Sequence, residues 1–226
     1  MEKFSAGRFV WVECRRVIRL AISLTTSPDR FRFLDPGPLV DGELELVEPS
    51  TRWVGPMLES VRHPLTQDLS PRDAGMTRES IEKFLELTPL GRQRPDSEKG
   101  LVAQYHFWMR LRATGGYESP VPMGGGLSLR ISDSHNTRMY YGHVGYNVFP
   151  PARGRHFAER ACRLVLPLAR AHGMRELWIT CNPENAASRR TCERLGATLI
   201  EVVDLPEGFP LYQRGERQKC RYRLDI

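Results

Sequence analysis

The stretch that decides the fold runs from Tyr140 to Ala158, YYGHVGYNVFPPARGRHFA. Its first nine residues, Tyr140 to Val148, are rich in Tyr and Val and read as a strand. Pro150-Pro151 stop that strand, and Ala152-Arg153-Gly154-Arg155 turn the chain. From about Arg155 the apolar residues Phe157, Ala161, Leu164, Val165 and Leu168 recur at intervals of three and four, the spacing of a helix. A helix start leaves its first backbone N–H groups without partners and carries roughly half a positive charge from the helix dipole. Strand, basic glycine turn and helix start together read as an anion cradle, with Arg153 and Arg155 adding full charges beside it.

The anion is not identified by the two commonest phosphate motifs. The dinucleotide pattern needs three glycines early in a βαβ unit, and the P-loop needs Gly-Lys-Ser/Thr; the stretch has neither. At 226 residues the chain fits one domain of ordinary size plus an extension. Its 40% hydrophobic and 27% charged residues describe a soluble globular protein. A formal charge of +6 favours an anionic partner. The arginines are dispersed, without the aromatic-interleaved basic stripe of a single-strand binder, which argues against nucleic acid. Five cysteines without a CxxC pair argue against a disulfide framework or a metal centre, and for reduced thiols in the cytoplasm.

Residues 1–40 read as an extension in which Val10, Cys14, Val17, Ile18 and Ala21 fall at helical spacing, followed by the linker Asp35-Pro36-Gly37-Pro38. Glu13 and the arginines break any secretory signal, and no stretch approaches the ~18 apolar residues of a membrane span. Residues 41–226 read as the domain. Glu43 to Val47 alternates as a strand; Ser50 caps a helix with Trp53, Met57, Leu58 and Val61; Pro64 to Gly75 is loop. Thr77 caps a second helix, with Ile81, Phe84 and Leu85, that Pro89 ends. Leu101 to Arg112 and Gly126 to Ser132 alternate as strands. The long helix holds Pro167, which predicts a bend, and closes at Gly173. Leu177 to Cys181 is a strand, Asn182-Pro183 opens a helix that stops at Gly196, and two strands end the chain. Trp53, Trp108 and Trp178 sit at core periodicity.

Arg153-Gly154-Arg155-His156-Phe157-Ala158 resembles the pyrophosphate-binding turn of the GNAT acyltransferase superfamily. There an Arg or Gln is followed by two free positions, Gly, one free position, then Gly or Ala. The first and last positions match, and His156 stands where the central Gly usually sits. A second stretch, Asn185 to Ala197, resembles the fourth-helix pattern Asn-x-x-Ser/Ala…Glu-x-x-Gly-Phe. The element order β-α-α-β-β-β-α-β-α-β-β is also that of the GNAT fold. The branch it most resembles holds the ribosomal-protein N-terminal and small-molecule acetyltransferases.

The resemblance implies an α/β (α+β) fold: a mixed sheet of about seven strands, a splayed central parallel pair and four main helices. It implies direct transfer of an acetyl group from acetyl-CoA to the amine of a small molecule or a protein or peptide. The alternative is a GNAT-fold module that binds CoA without turnover. Backbone groups around Asn147, Val148 and Phe149 would pair with the pantetheine arm, and amides from Gly154 through Ala158 would hold the pyrophosphate. Asn185, with Ser188 beside it, would hydrogen-bond the arm. Many family members place a Tyr acid where this chain has Cys192, so a thiol would protonate the departing sulfur. For a base, His143 is the first candidate and Tyr146 the second; they have opposite strand parity, so a regular strand aims only one of them at a given site. A homodimer is a further expectation.

Overall fold

In a computed structural model, the structure describes residues 31–93 and 102–226, and the helical periodicity around Val10 to Ala21 lies outside the described residues. The first sheet has five antiparallel strands in the order β1-β2-β3-β4-β5. They are β1 Val40–Asp41, β2 Leu44–Val47, β3 Ala103–Leu111, β4 Met123–Ile131 and β5 Val144–Val148. The second has three, β6 Glu176–Cys181, β7 Thr198–Asp204 and β8 Gln218–Asp225, in the order β6-β8-β7. The α/β class stands; among the described residues there are eight strands in two antiparallel sheets rather than one mixed sheet of about seven. Alternation was readable in the sequence for β2, β3, β4 and β8, while β1 was not expected at all; which edges join was not readable, because edges are chosen by packing between distant segments.

Between β2 and β3 run α1 Val54–Arg62, α2 Pro64–Leu69, α3 Pro71–Ala74 and α4 Arg78–Gln93. The segment expected to be loop, Pro64 to Gly75, is therefore two short helices. Each carries proline at its first position, where the missing N–H costs nothing. At the head of α4 the Ser80 amide donates to Thr77 Oγ1 (3.2 Å) and the Thr77 amide to Ser80 Oγ (2.9 Å), the cap expected at Thr77. Pro89 does not end this helix, which runs on to Gln93.

After β5 comes α5, Phe157–Ala171, a single helix through Pro167. The last helix, α6, spans Ala186–Leu195. Its cap is Asn185 rather than Asn182: Asn185 Oδ1 accepts the Ser188 amide at 3.0 Å, and Asn182 to Asn185 form a turn. Tyr140-Tyr141 are not strand either; they close a helical turn, Thr137–Tyr141. The missed signal is Ser134, whose hydroxyl accepts the Thr137 amide (3.3 Å) and whose carbonyl accepts the Arg138 amide (3.1 Å).

Two cores flank the first sheet. Tyr105, Phe107, Met109, Leu127 and Leu129 meet Phe157, Ala161, Val165 and Leu168 of α5 on one face. Trp108, Met123 and Phe149 meet Met57, Leu58, Val61, Ile81 and Phe84 of α1 and α4 on the other. Burying each large side chain contributes about 1.5–3 kcal/mol, so both faces must be covered for the sheet to hold. Trp178 is buried and Trp53 packs at the edge of the second core, as periodicity requires. Part of the expected extension belongs to this body: Phe33 packs edge-on against Tyr105 (5.0 Å), Phe31 stacks on His172 (5.1 Å), and the Leu34 amide donates to Tyr105 Oη (2.7 Å).

Candidate functional site at the junction of the two sheets

The two sheets touch along β5 and β6. The His143 amide donates to the Trp178 carbonyl (2.6 Å), and the Trp178 amide donates to His143 Nδ1 (2.8 Å). Gly142 makes this approach feasible: its φ is +71°, and a Cβ there would lie 3.0 Å from the Thr180 amide nitrogen and 3.1 Å from the Trp178 carbonyl. Among the described residues no strand ladder joins β5 to β6 past this point, since β5 pairs with β4 and β6 with β8.

The β4-directed bonds of β5 fall on the His143 carbonyl (to the Arg130 amide, 2.7 Å) and the Phe149 amide (to the Gly124 carbonyl, 2.8 Å). The register between them is unbroken, so alternation sends the backbone groups of Asn147 toward β4 and those of Tyr146 and Val148 to the opposite edge. Of the three residues expected to pair with a ligand arm, only Val148 therefore offers its backbone there; Asn147 and Phe149 are committed to β4.

His143 is 3% exposed, and both ring nitrogens are engaged: Nδ1 accepts from Trp178, which makes Nε2 the donor to the Ser132 carbonyl (2.8 Å). Burial pushes its pKa down, so the ring is neutral. Neither nitrogen is left to take a proton from a substrate, and its geometry is that of a clamp between the sheets. Tyr146 leans across to α6. Its Oη lies 2.9 Å from Ser188 Oγ and 4.0 Å from Cys192 Sγ, and burial pushes the phenol far above its ordinary range. Cys192 is 0% exposed behind it, and the neighbouring Cys181 together with burial pushes that thiol up as well. A fully covered thiol cannot touch a ligand, whereas half-buried Tyr146 can.

At the cradle, the first bond of the α5 ladder runs from the Arg160 amide to the His156 carbonyl (3.0 Å), which leaves the Phe157, Ala158 and Glu159 amides outside the ladder. His156 caps the helix in the left-handed conformation, φ 56° and ψ 26°, and is the one non-glycine residue with positive φ among the described residues. This is the turn position where the sequence motif puts glycine. Arg155 is not aimed at the cradle. Its guanidinium pairs with Glu43 (2.9 Å) and lies over the Tyr117 ring (4.0 Å). Arg160 joins the same carboxylate (3.0 Å) and holds the Glu43 pKa down to about 2. Arg153 is exposed, its Nε 3.2 Å from the Val148 carbonyl. The candidate anion cradle thus presents backbone amides, with the arginines supplying shape and field.

One buried charged side chain beside β5 escaped the sequence reading. Asp73, on α3, is 5% exposed; its Oδ1 accepts from Asn147 Nδ2 (3.3 Å) and its Oδ2 from Ser70 Oγ (2.6 Å). Asn147 Oδ1 in turn accepts the Gly126 amide (3.1 Å). The neighbouring Arg72 lies in the field of Asp73 itself, then of Glu216 and Arg214, which sets α3 against the segment before β8. Nothing in an acidic residue within a Pro/Gly-punctuated stretch foretells burial, so no signal was available.

A family model described as an acetyltransferase (GNAT) domain matches residues 50–198. No curated protein matches the sequence. Among solved structures, similarity extends to the microcin C7 self-immunity acetyltransferase MccE in complex with acetyl-CoA and AMP (16% identity, TM-score 0.59, 83% of this chain and 94% of that one). It extends also to a putative ribosomal-protein-serine acetyltransferase from Vibrio cholerae (19%, 0.58, 85% and 100%). A third is RimL, a ribosomal L7/L12 alpha-N-protein acetyltransferase, in complex with coenzyme A disulfide-bonded to a cysteine (18%, 0.58, 84% and 97%).

Proposed function

The chain belongs to the GNAT acetyltransferase family, and on that premise we propose that it transfers the acetyl group of acetyl-CoA to an amine of a small molecule or of a protein or peptide, by direct attack of the amine on the thioester. The observation that carries this reading is His156. A non-glycine residue held left-handed costs roughly 1 kcal/mol or more, and such strain persists where the backbone conformation is needed. Here it turns the chain so that α5 begins with free amides beside an open strand edge.

The residues present fit the coenzyme. It supplies an activated acyl carbon and a diphosphate when bound. The exposed turn at Gly154 to His156 and the first amides of α5 suit the diphosphate. The Val148 amide, on the open edge of β5, suits the arm. Asn185 keeps its Nδ2 for hydrogen bonding after its Oδ1 has capped α6. Tyr146, kept protonated by burial and partly accessible, holds a proton at Oη and is the group we assign to donate it to the departing sulfur. Cys192 is packing behind it, and His143 is the clamp. No described side chain is needed as a base if the amine arrives neutral. The described cysteines, all buried free thiols, fit a reducing cytoplasm.

Acetyl-CoA should raise the thermal midpoint in a concentration-dependent manner, and thiol should appear when an amine panel is added. The second reading, a CoA-binding module without turnover, draws on the burial of Cys192 at a position where many relatives carry an acid. It predicts the same stabilisation with no thiol released. Absence of stabilisation defeats both.

A further inference from the structure

The turn that opens α5 contains a strained residue, and its surroundings must hold it there. His156 is kept left-handed at φ 56°, a conformation that a non-glycine residue retains only where neighbouring structure enforces it. Among the described residues no side chain caps α5 at this point. Instead, the residues on either side of the strain are tied down at the far ends of their side chains. Arg155 directly precedes His156, and Arg160 supplies the amide of the first ladder bond, to the His156 carbonyl. Both guanidiniums converge on one carboxylate, Glu43, which lies 112 residues before Arg155.

Glu43 is itself firmly placed. With Gly42, at φ +55°, it forms the two-residue turn between β1 and β2, and the Arg112 amide donates to its carbonyl (2.9 Å). Its Oε1 accepts from Arg155 Nε (3.1 Å) and Nη2 (2.9 Å) and from Arg160 Nη1 (3.0 Å). Its Oε2 accepts from Arg160 Nη2 (3.1 Å). The residue is buried, and its hydrogen bonds from Arg160 keep the carboxylate ionised well into acid. Asp41 takes Arg160 Nε (2.7 Å). Arg155 and Arg160 are thus balanced by Glu43 and Asp41, while the Phe157, Ala158 and Glu159 amides stay open.

We propose that Glu43 is the positioning residue of the coenzyme cradle: by holding Arg155 and Arg160 together it fixes His156 in its left-handed turn and so aims the first α5 amides at the diphosphate. This rests on the acetyl-CoA reading and adds to it a residue that touches neither coenzyme nor acceptor. Arg155 then serves the coenzyme through the turn and not as a phosphate ligand. The two possible roles of the carboxylate have opposite signs. If it only masked two arginines, removing its charge would free them to strengthen anion binding. If it holds the turn, removing its charge loosens the amides and weakens binding. Glycine at position 156 adopts the same backbone conformation without strain, which makes the tether dispensable.

Calorimetric titration of the full chain with CoA reads the difference. Glu43→Gln, which keeps the shape and loses the charge, should raise the Kd for CoA about tenfold or more, because preorganisation is lost. Adding His156→Gly to it should return the Kd to within about threefold of the wild type. Arg155→Met leaves Arg160 on the carboxylate and should give a smaller loss that His156→Gly also reverses. The proposal is overturned if Glu43→Gln binds CoA as tightly as the wild type or more tightly. It is also overturned if the double variant binds no better than Glu43→Gln, which would make the loss one of general stability. Should Glu43→Gln not fold, Arg155→Met decides: a Kd that does not rise, or a rise that glycine does not reverse, overturns the tether. A wild type that does not bind CoA defeats the acetyl-transfer reading and this proposal together. A wild type that binds CoA and shows the glycine rescue, but releases no thiol with any amine, defeats acetyl transfer alone and leaves the tether standing.

Discussion

Two neighbours on β5 face opposite ways into unlike surroundings. Tyr146 looks toward α6, where burial holds the protons on Tyr146 and Cys192 while the Cys192 and Ser188 donors pull the neighbouring Cys181 thiol down. Asn147 looks toward α3, where the buried Asp73 carboxylate accepts from Asn147 and Ser70 and lies in the field of Arg72. One side holds protonated groups; the other holds a buried carboxylate. Alternation in a strand separates the two environments by a single residue. That economy needs both faces of the sheet covered, by α5 and α6 on one and by α1 to α4 on the other.

The largest effect should come from destroying the strand that carries both. A Cβ on Gly125 would lie 2.1 Å from the Asn147 carbonyl oxygen with φ at +135°, so Gly125→Ala should cost roughly 3 kcal/mol or more and remove both CoA and amine responses. Denaturant midpoints measure it. Retention of full stability would show that β5 does not lie against β4 as described.

Removing the clamp should come next. His143→Ala strands the Trp178 amide and the Ser132 carbonyl, at about 1–3 kcal/mol for each buried group left unpaired. The pH dependence has a fixed sign. Burial lowers the folded pKa of His143 below 6.5, so the unfolded chain binds the extra proton first. Its stabilisation is complete above pH 6.5 and declines as the pH falls from there through the folded pKa. Thermal melts from pH 7.5 to 5 should show that decline in the wild type and a smaller one in His143→Ala, where His172, also lowered by burial, still contributes.

Tyr146→Phe separates the two faces. It should lower kcat about tenfold, near 1.4 kcal/mol of barrier, with the KM for acetyl-CoA within about threefold. Cys192→Ala should change kcat less than twofold while loosening the core. Reversal of that order would make the thiol the proton donor. The smallest effect is a gain. His156→Gly relieves the left-handed strain, worth about 1 kcal/mol, and should raise the melting temperature by about 2–4 °C without weakening CoA binding. A loss of CoA affinity would assign the His156 side chain a direct contact.

Much of this was legible in the chain. Period-two alternation marked β3 and β8, and the spacing of Phe157, Ala161 and Leu168 marked α5, because each element must turn one apolar face to a core. The Arg153 to Ala158 turn and the Asn185 helix carried the family. Short-range chemistry misled where two local signals competed. Tyr140-Tyr141 look like strand, yet Ser134 starts a turn that overrides them. Asn182-Pro183 look like a cap, yet Asn185 takes that role three residues on. Arg155 looked like a phosphate ligand until Glu43, more than a hundred residues earlier, claimed its guanidinium.

Local order in this protein follows from side-chain periodicity and a few turn residues, and those are properties of adjacent positions. The candidate site depends on pairs that no neighbour relation predicts: His143 with Trp178, Tyr146 with Ser188, Asn147 with Asp73. Whether a histidine is base or clamp, and whether an aspartate is solvated or buried, is decided by what fills the space around it. That filling is known only once distant strands and helices have closed on one another.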